Sequence, residues 1–358
     1  MFSSKKNMLY NKTLIRPFMY AFPSVRSTSL MLTILLSLQL FMLLLTKSYS
    51  ALIVVGASLA GFVCAEILAG MYHRPYRFSV MTSVVQGIIA GMLLPSTFPP
   101  VSVFLITFFT MLLSKCMFGG FADAWTNAAV VAVASAWIIG MTAFPQLSVT
   151  KELLQMRNPS FMLIQNGTFS ILKFDPPITE ALNNTFFGLL KVSIPDGYIS
   201  MLWDTNSIIP AFRFNLLTLF SSIVLFGSGM LRMLIPFCFL ATYSLLVRFA
   251  GPALCGGALG QGDILLAVLT GGTLFCAVFV IQWYGTTPLT YTGKTLYGIL
   301  CGVLAFLIAG CGTSSSGMVF AILFANIISP VIQVIEDKNN KKALHKMLDE
   351  NIKDEGVN

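Results

Sequence analysis

Residues 115–127 read KCMFGGFADAWTN, and they lie between two long apolar runs, VSVFLITFFTMLL (101–113) and AAVVAVASAWIIGM (128–141). Each run approaches the length of a membrane-spanning helix. Between them stand Lys115, Gly119, Gly120, Asp123 and Asn127. Irregular backbone around a glycine pair is tolerated near a bilayer only where protein buries it or where it lines a cavity. The stretch therefore predicts an all-α membrane bundle that does more than anchor.

The rest of the chain agrees. Of 358 residues, 56% are hydrophobic and 10% are charged, where a soluble domain carries about 25% charged residues. The mean hydropathy is +0.81. This composition excludes a soluble enzyme and names the lipid bilayer as a partner. The net charge of +8 does not call for nucleic acid; basic residues that hold cytoplasmic loops inside give the same sum.

About ten apolar segments are candidate spans: 28–46, 51–71, 79–95, 100–116, 124–144, 214–230, 232–250, 264–283, 295–311 and 317–335. Several sit at the short limit for a helix crossing a hydrocarbon core of about 30 Å. The run after the basic first 27 residues is too long for a secretory signal and reads as a retained first span. With ten spans, 15 of the 22 basic residues fall on the side of the termini. The short loops opposite hold only Lys47 and Arg248. Both termini are therefore expected in the cytoplasm.

The expected organisation is a cytoplasmic tail (1–27), a first five-helix half (28–144), an extracytoplasmic loop (145–213), a second half (214–335) and a second tail (336–358). In each half the third span carries glycine (QGIIAGML, TGGTLFCAV) and the fourth ends in a glycine cluster (MFGGF, AGCGTSSSG). An asparagine follows in the fifth, Asn127 or Asn326. Halves with an odd number of spans form an inverted repeat, and such repeats place a site between them near the midplane.

Glu66 lies inside the second span, where a carboxylate costs about 2.5–3.5 kcal/mol unless it is paired or wet. It reads either as an ion-path group or as a partner of Arg74 or Arg77. Asp123 and Lys115 either pair with each other or meet a ligand. Thr286 and Thr287 belong to a turn crowded with hydroxyls and tyrosines, which is either interfacial or a donor set for a ring or phosphate. The segment GCGTSSSGM resembles a loose phosphate nest without the P-loop lysine. Seven cysteines form no CxxC pair, and the two histidines stand far from any ligand spacing. No metal site and no catalytic residue is expected.

Six stretches carry a family resemblance: SVRSTSLMLTILL (24–36), AEILAGMYHRPYRFSVMTSVVQGIIAGMLLPSTFPP (65–100), SKCMFGGFADAWTNAAV (114–130), LLAVLTGGTLFCAVFVIQ (265–282), GKTLYGILCGVLAFLI (293–308) and GMVFAILFANIISPVI (317–332). In this order and spacing the chain resembles the RnfD and NqrB family, membrane components of the Rnf electron-transport complex and of the sodium-pumping NADH:quinone reductase. The resemblance implies a bacterial cytoplasmic-membrane subunit that passes electrons through flavin, coupled to sodium or proton movement. It also implies partners that carry iron–sulfur and further flavin centres. The flavin is FMN or riboflavin, and Gly119, Gly120, Asn127, Gly271, Gly272, Thr273, Thr286 and Thr287 are the candidates to hold it. Glu66 and Asp123 are candidates for an ion path.

The chain departs from the family where the chemistry is sharpest. Relatives of this kind carry FMN on a threonine just before the sixth span. Here the segment reads WDTNSIIPAFRFNLLTL (203–219), and aligned on its proline the threonine position holds Ile209. Thr205 and Ser207 are the nearby hydroxyls. A covalent flavin is expected to be absent, and any flavin to be held without a bond. A stand-alone solute transporter or channel, and a structural subunit without flavin, are the competing readings.

Overall fold

A computed structural model describes residues 23–72, 79–116, 125–145, 154–155, 158–189, 193–255 and 257–356. Among these the chain is helical and contains no strand. The first set of helices is α1 (Val25–Leu45), α2 (Tyr49–Tyr72), α3 (Ser79–Leu93), α4 (Pro100–Met111) and α5 (Ala128–Ile139). The connecting segment holds three short helices, α6 (Pro159–Gln165), α7 (Asp175–Leu182) and α8 (Tyr198–Trp203). The second set is α9 (Asn215–Gly227), α10 (Leu234–Cys255), α11 (Ile264–Leu269), α12 (Thr273–Phe275), α13 (Tyr291–Ala309) and α14 (Gly317–Gly356).

Each of the ten expected apolar segments has a helical counterpart. Five helices, α1, α2, α10, α13 and α14, are long and apolar enough to cross a membrane. The segments at α3, α4, α5 and α9 are shorter apolar helices. The protein is a polytopic all-α membrane protein.

Local chemistry sets the helix starts. The Ser24 hydroxyl accepts from Ser27 N at 3.2 Å to begin α1. Pro100 occupies the first turn of α4, where its missing N–H costs nothing. Thr290 Oγ1 accepts from Gly293 N to begin α13. The expected fifth span, 124–144, is a shorter helix because Asn127 caps it. Helix α14 continues through residue 336 and runs to Gly356.

Side-chain size sets the packing. A methyl group on Gly91 would lie 2.6 Å from the Val55 Cα, and one on Gly87 2.9 Å from the Leu59 Cα. These glycines let α3 pack backbone to backbone on α2, the small-residue packing common where lipid supplies no hydrophobic drive between helices.

The same packing pairs recur in the two sets. The first and third helices touch, as do the second and third, second and fourth, third and fifth, and fourth and fifth. In the second set α11, α12 and the π turn that follows stand together as the third element. The sets meet first helix to first and fifth to fifth, α1 on α9 and α5 on α14. Gln39 Nε2 donates to Thr218 Oγ1 at 3.1 Å across the first contact. Trp137 meets Phe320 edge-on at 5.2 Å across the second.

Candidate functional site

The eighth apolar segment is a broken helix. Its first piece, α11, is capped by Asp263, whose Oδ1 accepts from Leu266 N at 3.1 Å. The helix stops at Thr270, and Gly272 takes a left-handed backbone (φ 68°) before α12 begins. A left-handed residue with a side chain is strained. A Cβ on Gly272 would also lie 2.1 Å from the Phe212 ring. Glycine is required there on both grounds. The Thr273 hydroxyl reaches back to Ala267 O at 2.8 Å and satisfies a carbonyl left open by the break.

The break opens one end of a cavity of about 190 Å³. Five segments line it, Pro145 after α5 among them. Thr270 and Gly271 come from the break, and Thr205, Asn206, Ser207 and Ile208 from the segment before α9. Gly312 to Ser315 come from the turn between α13 and α14, and Thr168 and Phe169 from the connecting segment. Among the described residues the lining is rich in hydroxyls and holds no charged side chain. It offers hydrogen bonds from every side without a fixed charge.

The 204–213 segment is clamped in place. Arg213 forms an ion pair with Asp204, with Nη2 at 2.5 Å from Oδ2, and its Nη1 donates to Ser48 Oγ at 2.5 Å. Thr205 Oγ1 donates to Phe212 O at 2.8 Å. Ser207 Oγ accepts from Ile209 N at 3.2 Å. Ser96 N donates to Ile208 O, tying the segment to the end of α3. Ile209 itself is fully buried in the core and is absent from the cavity wall.

The sequence candidates divide among three places. Gly271 lines the cavity, with Gly272 and Thr273 shaping the break beside it. Thr286 and Thr287 lie at the other end of the same segment. The Thr286 hydroxyl, buried, donates to Trp283 O at 3.0 Å. Thr287 lines a second cavity of about 420 Å³ with Trp283, Tyr284 and Lys294.

Asn127 is buried within the bundle. Its Oδ1 accepts from Ala129 N at 3.0 Å and from Gln86 Nε2 at 3.4 Å, and its Nδ2 donates to Val280 O at 3.2 Å. Asn326, also buried, accepts from the Tyr297 hydroxyl at 2.7 Å, while its Nδ2 has no partner among the described residues.

Glu66 is buried and accepts from Ser83 Oγ at 2.9 Å, between α2 and α3. Arg74, Arg77, Gly119, Gly120 and Asp123 lie outside the described residues. Among the described residues no cluster of metal-ligating side chains occurs.

The sequence reading missed Thr168, Phe169 and Asn206 as cavity residues. The GCGTSSSGM turn was a signal for the third wall, and its residues 312–315 do line the cavity.

Three relatives share most of the chain. The D component of the ion-translocating oxidoreductase complex of Erwinia tasmaniensis is 24% identical over 300 residues, 77% of this chain and 82% of that protein. The D component of the Na(+)-translocating ferredoxin:NAD(+) oxidoreductase complex of Acetobacterium woodii is 24% identical over 287 residues, 79% and 80% of the two chains. The D component of the proton-translocating ferredoxin:NAD(+) oxidoreductase complex of Clostridium ljungdahlii is 22% identical over 285 residues, 78% and 80%. A model of the NQR2, RnfD, RnfE family matches residues 13–342, nearly the whole length. The chain belongs to the NQR2, RnfD, RnfE family.

Proposed function

We propose that this chain is the membrane subunit of an ion-translocating electron-transport complex and carries electrons on a flavin held without a covalent bond. The observation that carries the reading is the family match across both sets of helices. The relatives named above point to such a complex as its setting. The partners are other subunits, with iron–sulfur and flavin centres among them. The chain sits in the bacterial cytoplasmic membrane with both termini inside, and its two sets of helices form an inverted repeat.

The hydroxyl-lined cavity beside the helix break is the proposed flavin site. At about 190 Å³ it is smaller than the roughly 300–1,000 Å³ of a pocket that encloses a whole ligand. It accepts part of a flavin, with the remainder against a partner or lipid. Its lining suits a neutral, polyhydroxylated group better than a phosphate dianion, because among the described residues no Lys, Arg or His stands in the wall. This favours riboflavin, or the ring and ribityl part of FMN. Bound there, the isoalloxazine supplies one- and two-electron chemistry that side chains lack. Thr205, Ser207 and Thr270 orient the ligand by hydrogen bonds, and Phe169 and Phe212 exclude water from it.

Glu66 is the proposed ion-path carboxylate. A buried carboxylate hydrogen-bonded between two helices is costly to keep in a membrane without a role.

A second reading is a structural subunit that has lost its flavin. The burial of Ile209 at the family's attachment position favours it. Mild purification of the tagged chain from native membranes tests both readings against a stand-alone transporter. Co-purifying iron–sulfur and flavin subunits support the complex. A chain that purifies alone, with transport activity of its own, contradicts it.

A further inference from the structure

Helix α7 and the π turn that follows it (Asn183–Phe187) carry an apolar stripe facing outward. Ile171 leads into the helix, and from the cap residue onward Phe174, Ile178, Leu182, Phe186 and Leu189 succeed one another at steps of three or four residues. That spacing places side chains on one helix face. All six are exposed, Phe186 by 61% and Leu189 by 85%.

The helix cannot roll to hide the stripe, because its neighbouring edge is clamped. Asp175, fully buried, accepts from Gly197 N at 3.0 Å and from Ser200 N at 2.6 Å. Asn183 donates to Ile194 O at 2.8 Å and accepts from Ile194 N at 2.9 Å. Bonds at both ends of the helix fix its rotation with the stripe outward.

Two features favour a bilayer surface as the occupant. The first is continuity with the apolar surface of the bundle. The Phe174 ring meets Trp203 of α8 edge-on at 5.8 Å, and Trp203 is itself exposed. Helix α8 packs on both α7 and α9, and α9 presents exposed Leu216, Phe220 and Ile223. The Phe174–Trp203 pair lies where the connecting segment meets the apolar bundle, and exposed aromatic rings in such a place suit the headgroup level. The second feature is charge. Asp175 is turned inward, which leaves Glu180 as the only outward acid between Lys173 and Leu189. Lys173 precedes the helix and Lys191 follows it in sequence, the basic flanks that suit anionic headgroups.

We propose that α7 is an interfacial helix, lying in the headgroup layer with this stripe in the acyl boundary. The contact sets the depth of the cavity wall, because Thr168 and Phe169 immediately precede Ile171. The inference rests on the chain being membrane-embedded and not on flavin binding.

The test uses the full chain, alone, in nanodiscs of phosphatidylcholine and phosphatidylglycerol. Phe186→Cys, Leu189→Cys and Glu180→Cys are each compared with the parent protein for reaction with a membrane-impermeant maleimide. Positions 186 and 189 are expected to react at least about tenfold more slowly than 180. A bimane on Cys at 186 is expected to be quenched by lipid spin-labelled near the headgroup end of the acyl chain. Equal reactivity at the three positions overturns the proposal. So does protection without lipid quenching, which assigns the stripe to a protein contact.

Discussion

The side-chain amide of Asn127 donates to the carbonyl of Val280 at 3.2 Å, joining the start of α5 to the π turn that follows α12. One residue thus caps a helix of the first set and satisfies a carbonyl of the second. That carbonyl is available because Val280 ends the helical stretch, and the last carbonyls of a helix have no partner inside it.

Asn127→Ala should therefore cost more than a surface cap. Losing the cap costs about 1 kcal/mol. The Val280 carbonyl and the Gln86 amide are left short of a partner in the buried core, at about 1–3 kcal/mol each. We expect thermal unfolding in detergent to show a total loss of roughly 3–7 kcal/mol. A loss no greater than that of an exposed cap would mean that the inter-set bond contributes nothing.

Gly272→Ala should damage the cavity through two separable effects. The left-handed backbone disfavours any side chain by about 1–2 kcal/mol, and the new methyl collides with Phe212. The expected loss is roughly 2–4 kcal/mol. In a Phe212→Ala background the collision is gone, and the increment should fall to about 1–2 kcal/mol. A double-mutant cycle by thermal unfolding measures it, and strict additivity would contradict the geometry.

Asp175 makes the connecting segment sensitive to acid. Burial alone would raise its pKa, but hydrogen bonds from Gly197, Ser200 and Thr179 outweigh burial and hold it below the ordinary aspartate value. The folded pKa lies below the unfolded one. The stabilisation is therefore present above the unfolded value of about 3.9 and is lost as pH falls through the folded value. Amide protection over residues 194–203, taken as exchange relative to the intrinsic rate at each pH, should be high at neutral pH and fall at strongly acidic pH. Asp175→Asn should exchange faster at neutral pH, and its difference from the parent should shrink in acid. A difference that stays constant with pH would show that the charge is irrelevant.

The spans were legible in the sequence because long apolar runs have few alternatives in a membrane. The break after α11 was legible as TGG, since glycine pairs interrupt helices, although its consequence was not. That consequence depends on Phe212, about sixty residues away in the chain, and on Thr168 and Phe169, about a hundred away. No local pattern marks such partners. The helices of the connecting segment were hidden for a related reason. Their stability comes from Asp175 reaching Gly197 and Ser200 rather than from a periodic run. Asn127 was legible as important and ambiguous in role, because one residue type serves as cap, bridge or ligand.

The partition of flavin in the purified protein tests the central claim most directly. The protein is isolated under mild conditions, denatured, and examined for flavin fluorescence in the released supernatant and in the denatured band. Near-stoichiometric flavin in the supernatant with a dark band is the predicted result. A fluorescent band would contradict the non-covalent attachment, and a protein without flavin in either fraction would contradict the electron-carrying role itself.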